Sequence, residues 1–166
     1  GMAAITTAIM ALVRAGDRIV ATRELYGGTF EFLNDILPAL GVETSFINCD
    51  RTEQVLGEIG KGASILYLET PTNPLLAVTD IQAICRMARE RAPGIKVLVD
   101  NTFATPYLQR PLALGADVGR RLRRHAADLL ELGERTAAIA EHAVAALDQV
   151  LRDRKSDLAD ADKADG

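Results

Sequence analysis

The segment Lys96-Val97-Leu98-Val99-Asp100-Asn101-Thr102-Phe103 ends an apolar, β-branched run on an aspartate and then breaks into a polar turn. Short runs of this kind read as buried strands, where an unpaired carboxylate is expensive. An acid at the carboxyl end of such a strand calls for a cationic partner, and in open α/β sheets that edge is where ligands sit. The protonated nitrogen of a heterocyclic cofactor would serve. A turn or helix-capping aspartate is the plainer alternative. Two more segments repeat the arrangement. Glu69-Thr70-Pro71-Thr72-Asn73-Pro74 follows the apolar run from Ser64 to Leu68, and Leu25-Tyr26-Gly27-Gly28-Thr29 follows Arg18 to Ala21. Three strand ends therefore offer a carboxylate, an amide and an aromatic ring.

The elements that must position these groups alternate between helix and strand. Met2 to Val13 has a helical apolar pattern closed by Ala15-Gly16, and Phe30, Leu33, Leu37 and Leu40 mark one helical face stopped by Gly41 as a C-cap. Val42 to Ile47 alternates like a strand, and Thr52 to Ile59 reads as a short helix. Thr79-Asp80 can cap a helix running to about Arg91, closed by Pro93-Gly94. Lys96 to Val99 is a strand, and Ala116 to Val118 starts one more. Such alternation predicts a mostly parallel sheet covered by helices, an α/β fold.

Composition sets outer limits. A chain of 166 residues can bury one substantial core. Its net charge of -4 argues against an electrostatic nucleic-acid binder. No apolar stretch is long enough to span a membrane, and no leader-like segment opens the chain, so the expected location is cytoplasmic. Cys49 and Cys85 lack metal-ligand spacing and read as free thiols, with Cys85 on the apolar helix face of Ile81, Ile84 and Ala88.

The pattern changes after Val118. Every proline and every aromatic residue precedes that point, and the remainder is rich in Ala, Leu, Arg, Asp and Glu. We divide the chain into an α/β part over 1–118, a helical tail over 119–151, and an end over 152–166 expected to be disordered. Ala140, Val144, Leu147 and Leu151 fall on one helical face, which suits an amphipathic helix or hairpin covering apolar surface. A partner-binding or coiled-coil segment is the second reading, and a nucleic-acid patch at Arg120, Arg121, Arg123 and Arg124 the third.

Tyr-Gly-Gly-Thr at 26–29, Glu-Thr-Pro-Thr-Asn-Pro at 69–74 and Val-Asp-Asn-Thr-Phe at 99–103 occur in that order behind Gly1-Met2-Ala3-Ala4. From Gly1 to about Val118 the chain resembles the Cys/Met-metabolism family of pyridoxal 5'-phosphate enzymes, which includes cystathionine γ-synthase, cystathionine γ-lyase, methionine γ-lyase and the homoserine sulfhydrylases. The resemblance implies part of a fold-type I large domain, a three-layer α/β/α sandwich. It implies γ-replacement or γ-elimination on a small-molecule amino-acid substrate, and a homo-oligomer with its site at a subunit interface. Membrane and nucleic-acid partners are not expected. It also implies roles for residues. Gly1 and Met2 match backbone donors to the cofactor phosphate, and Tyr26 matches a ring that stacks on the pyridine and takes part in proton transfer. Asn73 matches the partner of the phenolic oxygen, Asp100 the partner of the ring nitrogen, and Thr102 a residue supporting that aspartate. No metal is implied. A cysteine commonly occupies the place of Gly28 in methionine γ-lyases, so the glycine favours the cystathionine branch.

One expected group is missing. The family follows its Gly-Ala-Asp-Val strand with Ser-x-Thr-Lys, whose lysine forms the Schiff base with the cofactor; here Leu122, Arg123, Arg124 and His125 fill that register. Lys96 sits four residues before Asp100 on one strand, roughly 13 Å away and at the wrong end. Lys61 also precedes a strand, and Lys155 and Lys163 lie in the polar end. The chain reads as an internal piece of such an enzyme joined to a foreign tail, beginning inside the phosphate-binding motif. The chain as given is therefore expected to be inactive. The alternative is a non-catalytic α/β module acting through binding or assembly.

Overall fold

A computed structural model describes residues 1–48 and 51–119. The tail expected beyond Val118 and the His125 register lie outside these residues, apart from Gly119, as does Cys49. Five parallel strands form one sheet in the order β2-β1-β3-β4-β5. They are β1 (Arg18–Thr22), β2 (Glu43–Ile47), β3 (Ile65–Glu69), β4 (Lys96–Asp100) and the short β5 (Val118–Gly119). The helices are α1 (Met2–Met10), α2 (Gly27–Glu31), α3 (Thr52–Ile59), α4 (Ile81–Arg91) and the single turn α5 (Thr105–Leu108).

Strand period sorts the core into two halves. Ile19, Ala21, Ile65, Tyr67 and Leu98 pack with Ile5 and Ile9 of α1 and with Phe32, Leu33 and Leu37. Val20, Leu66, Leu68, Val97 and Val99 pack with Val55 and Ile59 of α3 and with Ile81, Ile84, Cys85 and Ala88 of α4. Helices thus cover both faces, giving the expected three-layer sandwich. The sheet is parallel throughout, so the strands' carboxyl ends gather at one pole. The order reverses direction between β1 and β3, and in open α/β sheets ligands bind outside the carboxyl ends of the strands at such a point.

Several boundaries move, each for a local reason. β3 and β4 run one residue further than their apolar composition suggests, taking in Glu69 and Asp100, which stand in register as strand neighbours. The helix expected from Phe30 begins at Gly27 and changes character, with a π turn over Phe32–Ile36 and a 3₁₀ turn over Leu37–Leu40. Pro38 donates no N–H and its ring crowds the preceding turn, so a regular α-helix cannot continue there. The wider turn also corrects the buried face. Phe32, not Phe30, lies in the core, while Phe30 is half exposed and meets the ring of Phe46 at 4.8 Å.

Gly41 closes this helix at φ +74°, where a Cβ would also sit 3.2 Å from that of Ala15. Gly57 lies inside α3, and a methyl group added there would meet nothing within 4 Å. Gly41→Ala should therefore cost about 1–2 kcal/mol, whereas Gly57→Ala should add about 0.5–1 kcal/mol. Urea unfolding of the two variants checks the opposite signs.

Candidate functional site at the carboxyl edge of the sheet

Each candidate side chain reaches the carboxyl pole by a different route. α1 precedes β1 and runs against it, so its N-terminus, Gly1-Met2, arrives at that pole. Gly1 supplies no side-chain cap, and no acidic residue stands in the first turn. The leading amides of a helix have no acceptor within it and carry the positive end of its dipole, which suits an anion. Met2 continues into the site: its Sδ lies 3.6 Å from Oγ1 of the buried Thr29.

Tyr26 follows β1 as the N-cap of α2 and is 51% exposed, open to a ligand. Gly28 packs beneath it. A Cβ there would fall 3.0 Å from Cε1 of Tyr26 and 3.3 Å from the sulfur of Met2, so any larger residue displaces one of them.

Asn73 follows β3 in a loop with cis peptide bonds at Thr70–Pro71 and Asn73–Pro74. Side-chain oxygens organise this loop. Oγ1 of Thr72 accepts from the amide of Ala77, and Oγ1 of Thr70 from that of Thr79, both at 3.0 Å. Asp100 ends β4, 6% exposed. Its Oδ1 accepts from the amide of Thr102 at 3.0 Å and from the Thr102 hydroxyl. The turn-aspartate reading is thus correct for one oxygen, and Thr102 fixes the carboxylate plane. Asn101, fully buried, exchanges two 2.8 Å bonds with Gln109, donating to its carbonyl and accepting from its amide side chain. That pair braces the loop after β4.

The residue that sequence reasoning passed over is Glu69. It shares its sheet face with Tyr67 and Ile65 by strand alternation, and it registers against Asp100. Its carboxylate accepts from the amide of Tyr26 at 2.8 Å through Oε2 and from the amide of Asn73 at 3.0 Å through Oε1. Its own amide donates to Oγ1 of Thr22 at 3.3 Å. Burial pushes the Glu69 carboxyl above the usual range; the two amide donors pull it back, and the charge of Asp100 adds to the rise. The folded chain therefore holds this proton more tightly than the unfolded chain. Its contribution to stability is greatest below the ordinary value of 4.5 and declines as pH rises through the folded value. The signal that could have found it is the one that found Asp100, an acid on the last position of a buried strand.

Contacts therefore join the candidates into one patch. Met2 and Tyr26 meet through Gly28, Tyr26 and Asn73 through Glu69, and Glu69 neighbours Asp100, which holds Thr102. The lysines among the described residues belong to the other pole: Lys61 pairs with Glu58 at 2.7 Å, and Lys96 with Asp117 at 3.5 Å. Among the described residues no cluster of His, Cys, Asp and Glu could hold a metal ion, and no helix is long and apolar enough to cross a membrane.

Comparison with known proteins bears on what this patch is. L-methionine gamma-lyase of Treponema denticola is 48% identical over 118 residues, 71% of this chain and 29% of that protein. Cystathionine gamma-lyase of Bacillus subtilis is 45% identical over 118 residues, 71% of this chain and 30% of its own length. These two values do not rank the methionine and cystathionine branches. Among solved structures, cystathionine gamma-lyase from Lactobacillus plantarum, complexed with L-serine, superposes with a TM-score of 0.66 at 41% identity, covering 71% of this chain and 30% of that one. The chain thus spans about three-tenths of the length of these relatives. The model of the Cys/Met metabolism PLP-dependent enzyme family matches residues 1–121, and the chain belongs to that family, whose cofactor is pyridoxal phosphate.

Proposed function

We propose that residues 1–118 are the cofactor-holding part of an enzyme of sulfur amino-acid metabolism that performs γ-elimination or γ-replacement on substrates such as cystathionine or an O-acylhomoserine. The observation that carries this reading is the convergence of Tyr26, Asn73 and Asp100, from three different strand ends, beside the open N-terminus of α1. The donor set suits the cofactor. The amides of Gly1 and Met2 would take the phosphate, and the exposed ring of Tyr26 would stack on the pyridine. Asn73 would hydrogen-bond the phenolic oxygen, and Asp100, oriented by Thr102, would keep the ring nitrogen protonated. A pyridinium ring held in this way supplies an electron sink for carbanions.

A second reading is favoured by one feature of the sequence. His125, not lysine, fills the register of the Schiff-base residue, and the flanking Ser and Thr are replaced as well. The chain would then bind the cofactor without turning it over, as a non-catalytic α/β module. Self-association is also proposed. Val78, Tyr107 and Leu108 are 73%, 91% and 74% exposed, and covering such large apolar side chains against a second copy would favour assembly.

Three outcomes are expected. Asp100→Asn should weaken pyridoxal phosphate binding by about 1.5–3 kcal/mol, roughly ten- to a hundredfold, because a charge-assisted hydrogen bond is lost. Absorbance titration measures this, and unchanged affinity would remove Asp100 from the site. α-Keto acid release from cystathionine should not exceed a cofactor-only control, with or without His125→Lys, since a positioned acid–base group is worth about 10²–10⁴-fold and its neighbours are altered too. Turnover well above that control would defeat the non-catalytic reading. Sedimentation velocity should find a dimer or larger species, and a monomer at high concentration would count against assembly.

A further inference from the structure

We propose that Glu69 is a positioning residue that holds Tyr26 and Asn73 at a fixed spacing, so that both can engage one cofactor ring; the inference rests on the cofactor-site reading above. The geometry is that of a two-pronged clamp. Oε2 takes the amide of Tyr26 at 2.8 Å and Oε1 that of Asn73 at 3.0 Å, so one planar group ties together loops that start from two different strands. The clamp itself is anchored. Glu69 is 6% exposed, its backbone is bonded in β3, and its amide donates to Thr22. The amide of Tyr26 is also the leading donor of a helix cap, a group that needs an acceptor from elsewhere.

The chemistry calls for a carboxylate. Both partners are N–H donors, so the residue between them must accept twice. Glutamine accepts with one prong only and sets its amino group against the other donor. Leucine fills the space and accepts nothing. If the position served packing alone, a neutral side chain would do as well, because burial opposes the charge. The charged group that bears on Glu69 is Asp100, on the neighbouring strand. A cation bound at Asp100 would therefore also favour the ionised, clamping form of Glu69, linking cofactor binding to the placement of Tyr26 and Asn73.

The test has two arms on the full chain. In the first, backbone amide resonances of Tyr26 and Asn73 are followed against pH without ligand. Both should shift together along one titration curve that disappears in Glu69→Gln. Separate curves, or curves surviving in the variant, would overturn the clamp. In the second, binding of pyridoxamine 5'-phosphate, which lacks the aldehyde and cannot react with surface lysines, is measured by fluorescence. Glu69→Gln should bind roughly tenfold more weakly, and the loss should shrink to about twofold in a Tyr26→Ala background, since residues that act through one another are not additive. Equal binding by wild type and Glu69→Gln would overturn the positioning role while leaving the cofactor site standing. No binding by wild type would instead defeat the cofactor-site reading, and this inference with it.

Discussion

Two carboxylates, Glu69 and Asp100, stand side by side on adjacent strands, both 6% exposed, at the carboxyl edge of a parallel sheet. Like charges so placed repel, and withdrawing each from water costs more still. The surrounding architecture offsets that cost with oriented donors: the amides of Tyr26 and Asn73 at Glu69, and the amide and hydroxyl of Thr102 at Asp100. The loops after β1, β3 and β4 take their shapes from serving these acceptors. In this sense the acids are not decorations on a finished fold. They are the points around which the site-bearing loops are arranged.

The sheet explains why such an arrangement can be rigid. Every strand is parallel, so every return connection is made by a covering helix or turn, and the loops at the carboxyl pole are freed from closing hairpins. The opposite pole does the structural closing. There Asp117 accepts from the amide of Val97 at 2.9 Å and pairs with Arg89 at 3.2 Å, fixing β5 against β4. Chemistry-bearing residues gather at one end, and the ion pairs of Asp117 and Glu58 lie at the other.

Much of this was legible in the sequence. Asp100 announced itself because an acid directly after Val-Leu-Val breaks the apolar pattern of its strand. Glu69 follows Leu-Tyr-Leu in the same way, yet the Thr-Pro-Thr-Asn-Pro run behind it drew it into the turn, and its two amide partners come from segments that composition cannot pair. The helix after Tyr26 was visible through Leu33 and Leu37, but its buried face rotated at the π turn before Pro38, so Phe32 replaced Phe30 in the core. The Asn101–Gln109 pair left no pattern at all, since it depends on a loop folding back over eight residues. Local periodicity sees strands and helices. It does not see which backbone amides a loop will present to an acid from elsewhere.

The two halves of the core have different obligations. The half beneath α1 and α2 shares its sheet face with Glu69 and Asp100, and Met2 and Thr29 touch each other at the edge of the site. The half beneath α3 and α4 supports the sheet from behind. A volume change at Ile84 or Val55 is felt as lost stability in that rear half, while Phe32 and Ile5 belong to the half packed under α1 and α2, the helices whose leading ends carry Met2 and Tyr26. The rear layer has only to stay full, whereas the front layer has to keep its shape as well as its volume.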